Sequence, residues 1–198
     1  MLFKHIRSNI NVVDDEFDLI YPDRIRAAAD VHFTPIKVAK VAARYLASKS
    51  DVRILDIGAG AGKFCMVGSA CTNAHFVGVE QRRSLCLTAK LITEHYHLSN
   101  VEFINANITS IAFKEFDAFY FYNSFFENVS SIGKMDDEID LRRELYDIYS
   151  FYVKEQLDGL AIGTKLVTYY SFSKEIPQSY EIKHSAFGDK LRMWEKVC

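Results

Sequence analysis

The sequence predicts a doubly wound α/β fold: a mostly parallel, seven-stranded sheet with helices on both faces and an antiparallel C-terminal hairpin. Three features predict it. Short apolar runs alternate with helix-length segments from residue 34 to residue 170, the pattern of strands joined by right-handed crossovers. Three closely spaced glycines, Gly58, Gly60 and Gly62, stand where the first strand gives way to a helix. Two extended runs, Tyr180–Ala186 and Lys190–Val197, flank Phe187-Gly188-Asp189 and read as a hairpin.

The elements follow in order. Residues 1–30 are mixed and polar, with Asp14, Asp15 and Glu16 clustered, and are expected to form a helical cap or arm. Residues 31–198 form the main domain. Thr34-Pro35 predicts a helix start, with Thr34 as N-cap and Val38, Val41, Ala42, Tyr45 and Leu46 at helical spacing. Val52–Ile57 reads as the first strand, Gly62–Cys71 as a helix and His75–Glu80 as the second strand. Arg82–Tyr96 reads as a helix with Leu85, Leu87, Leu91 and Ile92 inward, and Val101–Ile104 as the third strand. Asp117–Tyr122 is the fourth strand. Asp136–Leu157 is a long helix with Ile139, Leu145, Ile148, Tyr149, Tyr152 and Val153 inward, and Lys165–Tyr170 is the fifth strand. The charged residues Asp136, Asp137, Glu138, Arg142 and Arg143 are expected on the solvated face of that helix.

The bulk properties narrow the function. A chain of 198 residues with 49% hydrophobic residues suits one core. A net charge of −2 gives no global attraction to nucleic acid or anionic lipid; Lys37, Lys40, Arg44 and Lys49 make at most a small basic patch. Cys65, Cys71, Cys86 and Cys198 lack C-x-x-C spacing, and the histidines lack ligand spacing, so no metal site is expected. No window approaches the ~20 apolar residues of a membrane span, and the N-terminus lacks the apolar stretch of a signal peptide. A cytoplasmic protein is expected.

The glycine loop, Asp56-Ile57-Gly58-Ala59-Gly60-Ala61-Gly62-Lys63, allows a ligand to approach the backbone beside a helix N-terminus. A dinucleotide loop has G-x-G-x-x-G; here the third glycine is displaced, Lys63 holds its place, and Asp56 stands where it would repel a diphosphate. A carboxylate there attracts an ammonium, so an amino acid joined to a nucleoside fits better. The segment resembles the first motif of the class I, Rossmann-like S-adenosylmethionine-dependent methyltransferases, D-x-G-x-G-x-G. That resemblance implies S-adenosylmethionine as cofactor. Glu80, at the end of the second strand, is placed to accept the ribose hydroxyls, with Gln81 beside the adenine. Ala106 and Asn107 fall at the position of the family's adenine-reading loop.

After the fourth strand, Asn123-Ser124-Phe125-Phe126 resembles the N-P-P-F/Y motif of amino-group methyltransferases. The resemblance implies that Asn123 and Phe126 hold the acceptor, with Asn123 also bordering the cofactor. Ser124 and Phe125 replace both prolines, which weighs against a nucleobase amine. Glu127 is a further candidate base or cation holder, and His32 and Phe33 are placed to enter the site mouth. The expected function is methyl transfer to a nucleophilic, nitrogen-bearing acceptor: a small molecule or a protein side chain, with RNA not excluded. Two other readings stand beside it. One is a non-catalytic S-adenosylmethionine-binding module supporting a partner; the other is a nicotinamide-dependent oxidoreductase, disfavoured by Asp56 and the glycine spacing.

Overall fold

Seven strands form one sheet in the order β3-β2-β1-β4-β5-β7-β6. They are β1 (Arg53–Ile57), β2 (His75–Glu80), β3 (Val101–Asn105), β4 (Ala118–Phe121), β5 (Lys165–Tyr169), β6 (Tyr180–Ala186) and β7 (Leu191–Lys196). The computed structural model describes residues 1–130, 134–171 and 173–198. Strands β1 to β5 pair in parallel, whereas β7 runs antiparallel to both β5 and β6, as the hairpin pattern anticipates. Strand order reverses between β1 and β4, so a crevice opens beyond their carboxyl ends.

Helices α5 (Ile36–Leu46), α6 (Lys63–Cys71) and α7 (Arg83–His95) cover one face, and α8 (Arg143–Asp158) covers the other. Four short helices precede them: α1 (Leu2–Arg7), α2 (Asp14–Asp18), α3 (Asp23–Arg26) and α4 (Ala29–His32). Phe3 and Ile6 of α1, Phe17 of α2, and Tyr21 between α2 and α3 are buried in the same cluster as α5 and α6.

Four local expectations are corrected by tertiary contacts. The long helix starts at Arg143, not Asp136, because the Asp136 carboxylate is drawn to Arg82 (2.9 Å) and Glu138 accepts from the Ser84 N–H (3.1 Å). Thr34 does not cap α5: its hydroxyl bonds Tyr120 (2.9 Å), and the Ile36 N–H goes to Asp14 (2.8 Å). Leu87 and Leu91 face solvent, since the buried line of α7 runs through Leu85, Cys86, Ala89 and Ile92. A residue two places on lies ~200° round the helix. Ile148 is likewise exposed, and Tyr149, Val153 and Leu157 carry the α8 contact.

No helix among the described residues is long and apolar enough to cross a membrane. The four cysteines are free thiols, Cys65 and Cys86 buried. No group of three or more His, Cys, Asp or Glu among the described residues could hold a metal ion.

Candidate active site

A cavity of about 460 Å³ opens at the carboxyl ends of the central strands, between the glycine loop, the ends of β2 and β4, and the segment Asp30–Pro35. That volume suits a small-molecule or cofactor site.

Gly58, Gly60 and Gly62 all have positive φ (74°, 55° and 83°), a region L side chains rarely adopt. Their surroundings differ. A Cβ on Gly58 would lie 2.4 Å from Ser124, and one on Gly62 2.3 Å from Phe103, so these two glycines let protein pack. A Cβ on Gly60 would meet only Phe33, at 3.7 Å; its backbone borders the cavity. Gly62 precedes α6, where no side chain caps the first turn, and the free N–H groups and dipole face the loop.

Two carboxylates flank this loop. Asp56, on β1, is buried, and among the described residues its carboxylate has one hydrogen-bond partner, the Cys65 thiol (3.4 Å). Burial raises its pKa to about 7, against the Cys65 hydrogen bond, with nearby Glu80 adding to the rise. Glu80 spans the crevice: one oxygen accepts from the Gly60 N–H (2.9 Å), the other from the Arg82 N–H (2.8 Å). Burial raises its pKa too, and those hydrogen bonds and Arg82 oppose the rise. Each oxygen retains acceptor capacity toward the cavity.

Gln81, Ala106 and Asn107 also border the cavity. The Asn107 amide oxygen is engaged, accepting from the Thr109 N–H (3.0 Å) and hydroxyl (2.9 Å). Its NH2 reaches Tyr149 (2.8 Å) and Gln81 (3.3 Å). The Ala106 N–H is taken by the Glu80 carbonyl. Among the described residues the Asn107 backbone N–H has no hydrogen-bond partner.

At the other end, Asn123 follows β4 with a left-handed backbone (φ 41°), a conformation Asn adopts more readily than most residues. Ser124 holds that turn against β1, donating to the Ile57 carbonyl (2.6 Å). The Asn123 amide borders the cavity and has no hydrogen-bond partner among the described residues. Phe126, 37% exposed, lines the same cavity. Tyr122, Tyr169 and Tyr170 form an aromatic wall, with centroids 4.8 Å apart for Tyr122–Tyr169 and 4.7 Å for Tyr169–Tyr170. The Tyr122 hydroxyl donates to the Val31 carbonyl (3.2 Å), tying the N-terminal segment to this wall. Phe33 is buried beside Gly60, and His32 lines the cavity.

Sequence reasoning missed two buried cations. Lys63, 3% exposed, is gripped by Asp14 and Asp18 of α2, each at 2.8 Å. Arg82 bridges Glu127 (3.0 Å) and Asp136 (2.9 Å), and Asp136 also faces Arg24 (3.8 Å). Glu127, which further accepts from the Met135 N–H, is thus spent on holding the loop after β4. The available signal was the excess of carboxylates at 14–18 and 136–140, far more than a solvated face needs.

Residues 48–140 match the family model of a methyltransferase domain. No curated protein matches the chain. Solved structures resemble its fold. An RNA methyltransferase from Salinibacter ruber, crystallised with S-adenosyl-L-homocysteine, aligns with TM-score 0.55 and 21% identity, over 82% of this chain and 92% of its own. TrmN from Thermus thermophilus aligns with TM-score 0.59 and 15% identity, over 87% of this chain and 52% of its own. The putative methyltransferase yhhF from Escherichia coli aligns with TM-score 0.58 and 15% identity, over 81% and 84%.

Proposed function

We propose that this chain, which carries a class I S-adenosylmethionine-dependent methyltransferase domain, transfers the methyl group to a nitrogen acceptor held at Asn123. The observation that carries the acceptor reading is the unpartnered Asn123 amide in the cavity wall, fixed by a left-handed turn that Ser124 ties to β1. A side-chain carbonyl oxygen so placed accepts a hydrogen bond from an amine and points its lone pair.

The cofactor end fits the group the family implies. Gly60 leaves its backbone bare of side chains, Asp56 offers a buried carboxylate for an ammonium, and Glu80 retains lone pairs for the ribose hydroxyls. Gly58 and Gly62 shape the loop. Gln81 and Ala106 flank the base, and the free N–H of Asn107, rather than its engaged side-chain oxygen, is the donor left for an adenine nitrogen. When bound, the cofactor supplies an electrophilic methyl group on a sulfonium. The protein's part is alignment, which is worth ~7–11 kcal/mol in favourable cases. Asn123 orients the acceptor, and Phe126 covers it. No general base is required for an amine that arrives neutral.

Asn123→Ala tests the reading: cofactor affinity should stay within about twofold while turnover falls at least ~100-fold, a loss of near 3 kcal/mol in the transition state. Unchanged turnover would remove Asn123 from the acceptor site.

A further inference from the structure

The walls of the acceptor end carry information about the chemistry of what enters. Both cations of the cavity wall are already neutralised, Lys63 by Asp14 and Asp18, Arg82 by Glu127 and Asp136. The two segments bordering the mouth are acidic. Residues 14–30 hold six carboxylates against two arginines, and residues 122–142 hold five against Lys134 and Arg142. Every one of those bases is ion-paired: Arg24 with Asp136, Arg26 with Asp23, Lys134 with Asp137 and Arg142 with Asp140. Asp30, exposed in the cavity wall, has no cationic partner among the described residues. A phosphate backbone needs several unpaired Lys or Arg along its path; among the described residues Lys190, seated on the Tyr170 ring, is the one cation at the aromatic wall without a carboxylate partner.

The aromatic wall points the same way. Tyr122, Tyr169 and Tyr170 line the cavity with their rings packed on one another, 4.8 and 4.7 Å between neighbouring centroids, and the chain already seats a cation on one of them: the Lys190 ammonium lies 5.1 Å from the Tyr170 centroid. Such faces bind ammonium groups and the methylene stems that carry them.

We propose that the acceptor is an aliphatic primary amine of the lysine type, presented by a basic protein segment, with its stem against Tyr122, Tyr169 and Tyr170 and its charge met by Asp30 at the rim. This rests on the nitrogen-acceptor reading above. The ammonium gives up one proton to solvent on passing from the rim to Asn123. The neutral nitrogen then displaces sulfur at the methyl carbon: an N–C bond forms, the C–S bond breaks with its electrons left on sulfur, and the product ammonium carries the charge the sulfonium loses.

The experiment uses the full chain, methyl-labelled S-adenosylmethionine and three acceptors: poly-L-lysine, succinylated poly-L-lysine and total RNA. The expected result is label in poly-L-lysine, recovered as methyllysine after hydrolysis, and none in the other two. Tyr170 is 44% exposed, so it is replaced without emptying the core. Tyr170→Ala and Asp30→Asn should each raise KM for poly-L-lysine about tenfold, the scale of a partly desolvated cation contact. In both, kcat and S-adenosylhomocysteine affinity should be kept, and Tyr170→Phe should restore KM. Label in RNA or in the succinylated polymer, no label in poly-L-lysine from a chain that binds S-adenosylhomocysteine, or an unchanged KM in both variants would overturn the proposal. A chain that binds no S-adenosylhomocysteine would instead overturn the reading beneath it.

Discussion

Asp56 shows how one buried carboxylate links stability to ligand chemistry. Its pKa lies at about 7 in the fold, raised by burial, against an ordinary value near 4 when unfolded. The folded chain therefore holds a proton that the unfolded chain releases. This contribution to stability is fully present below about pH 4, falls away as pH rises to about 7, and stays lost above it. Asp56→Asn, which keeps the shape without the charge, should raise the melting temperature of the ligand-free protein at pH 8 and leave it unchanged at pH 4; thermal unfolding at the two pH values measures this. The same substitution should weaken binding of a ligand with an ammonium group. The carboxylate was legible in the sequence from its place ahead of three glycines. Its burial against Cys65 was not, because that contact depends on how α6 packs on β1. Asn107 is the converse case: its position was readable, but the capture of its oxygen by Thr109 depends on a turn that residue type alone does not specify.

Among elements, the glycine loop separates ligand access from packing. Gly60→Ala introduces no close contact and meets only the left-handed backbone penalty of ~1–2 kcal/mol, so the fold should survive while the ligand loses its approach. Gly62→Ala forces a Cβ to within 2.3 Å of the Phe103 ring and should destabilise the fold far more. Melting temperature and binding affinity, measured together on both variants, distinguish the two roles. The short helix α2 is held to α6 by Lys63. Removing one partner of a buried ion pair typically costs ~3–5 kcal/mol, so Asp18→Ala should lower the melting temperature by roughly 6–20 °C at ~2–4 °C per kcal/mol; an unchanged value would mean that Asp14 alone satisfies Lys63. The strands were legible because each is a local apolar run bounded by turn residues. The start of α8 was not: residues 136–142 have a helical pattern, yet Arg82 and Ser84 claim Asp136 and Glu138 from 54 positions away. A competition between local propensity and a distant partner leaves only its local half in the sequence.

Across the whole molecule, the strand order puts Asp56, Glu80 and Asn123 on three different strand ends around one crevice. Residues 30–35 border that crevice on one side, with Tyr122–Val31 and Lys63–Asp14 tying the N-terminal segment down, and residues 123–127 and Met135 border another, tied through Arg82. The order of motifs along the chain implied the convergence at the strand ends. The ties that hold the N-terminal helices in place, Lys63–Asp14 and Tyr122–Val31, were not legible, since each joins residues far apart in the sequence. On the reading proposed above, the crevice beside the glycine loop takes a zwitterionic nucleoside on Asp56 and Glu80. Titration calorimetry with S-adenosylhomocysteine, on the unmodified chain and on Glu80→Ala, decides whether it does. One ligand should bind per chain, and the variant should lose ~1–3 kcal/mol of affinity, the scale of hydrogen bonds made by a charged group. No heat with this ligand, or equal affinity in both proteins, would rule out that role for Asp56 and Glu80.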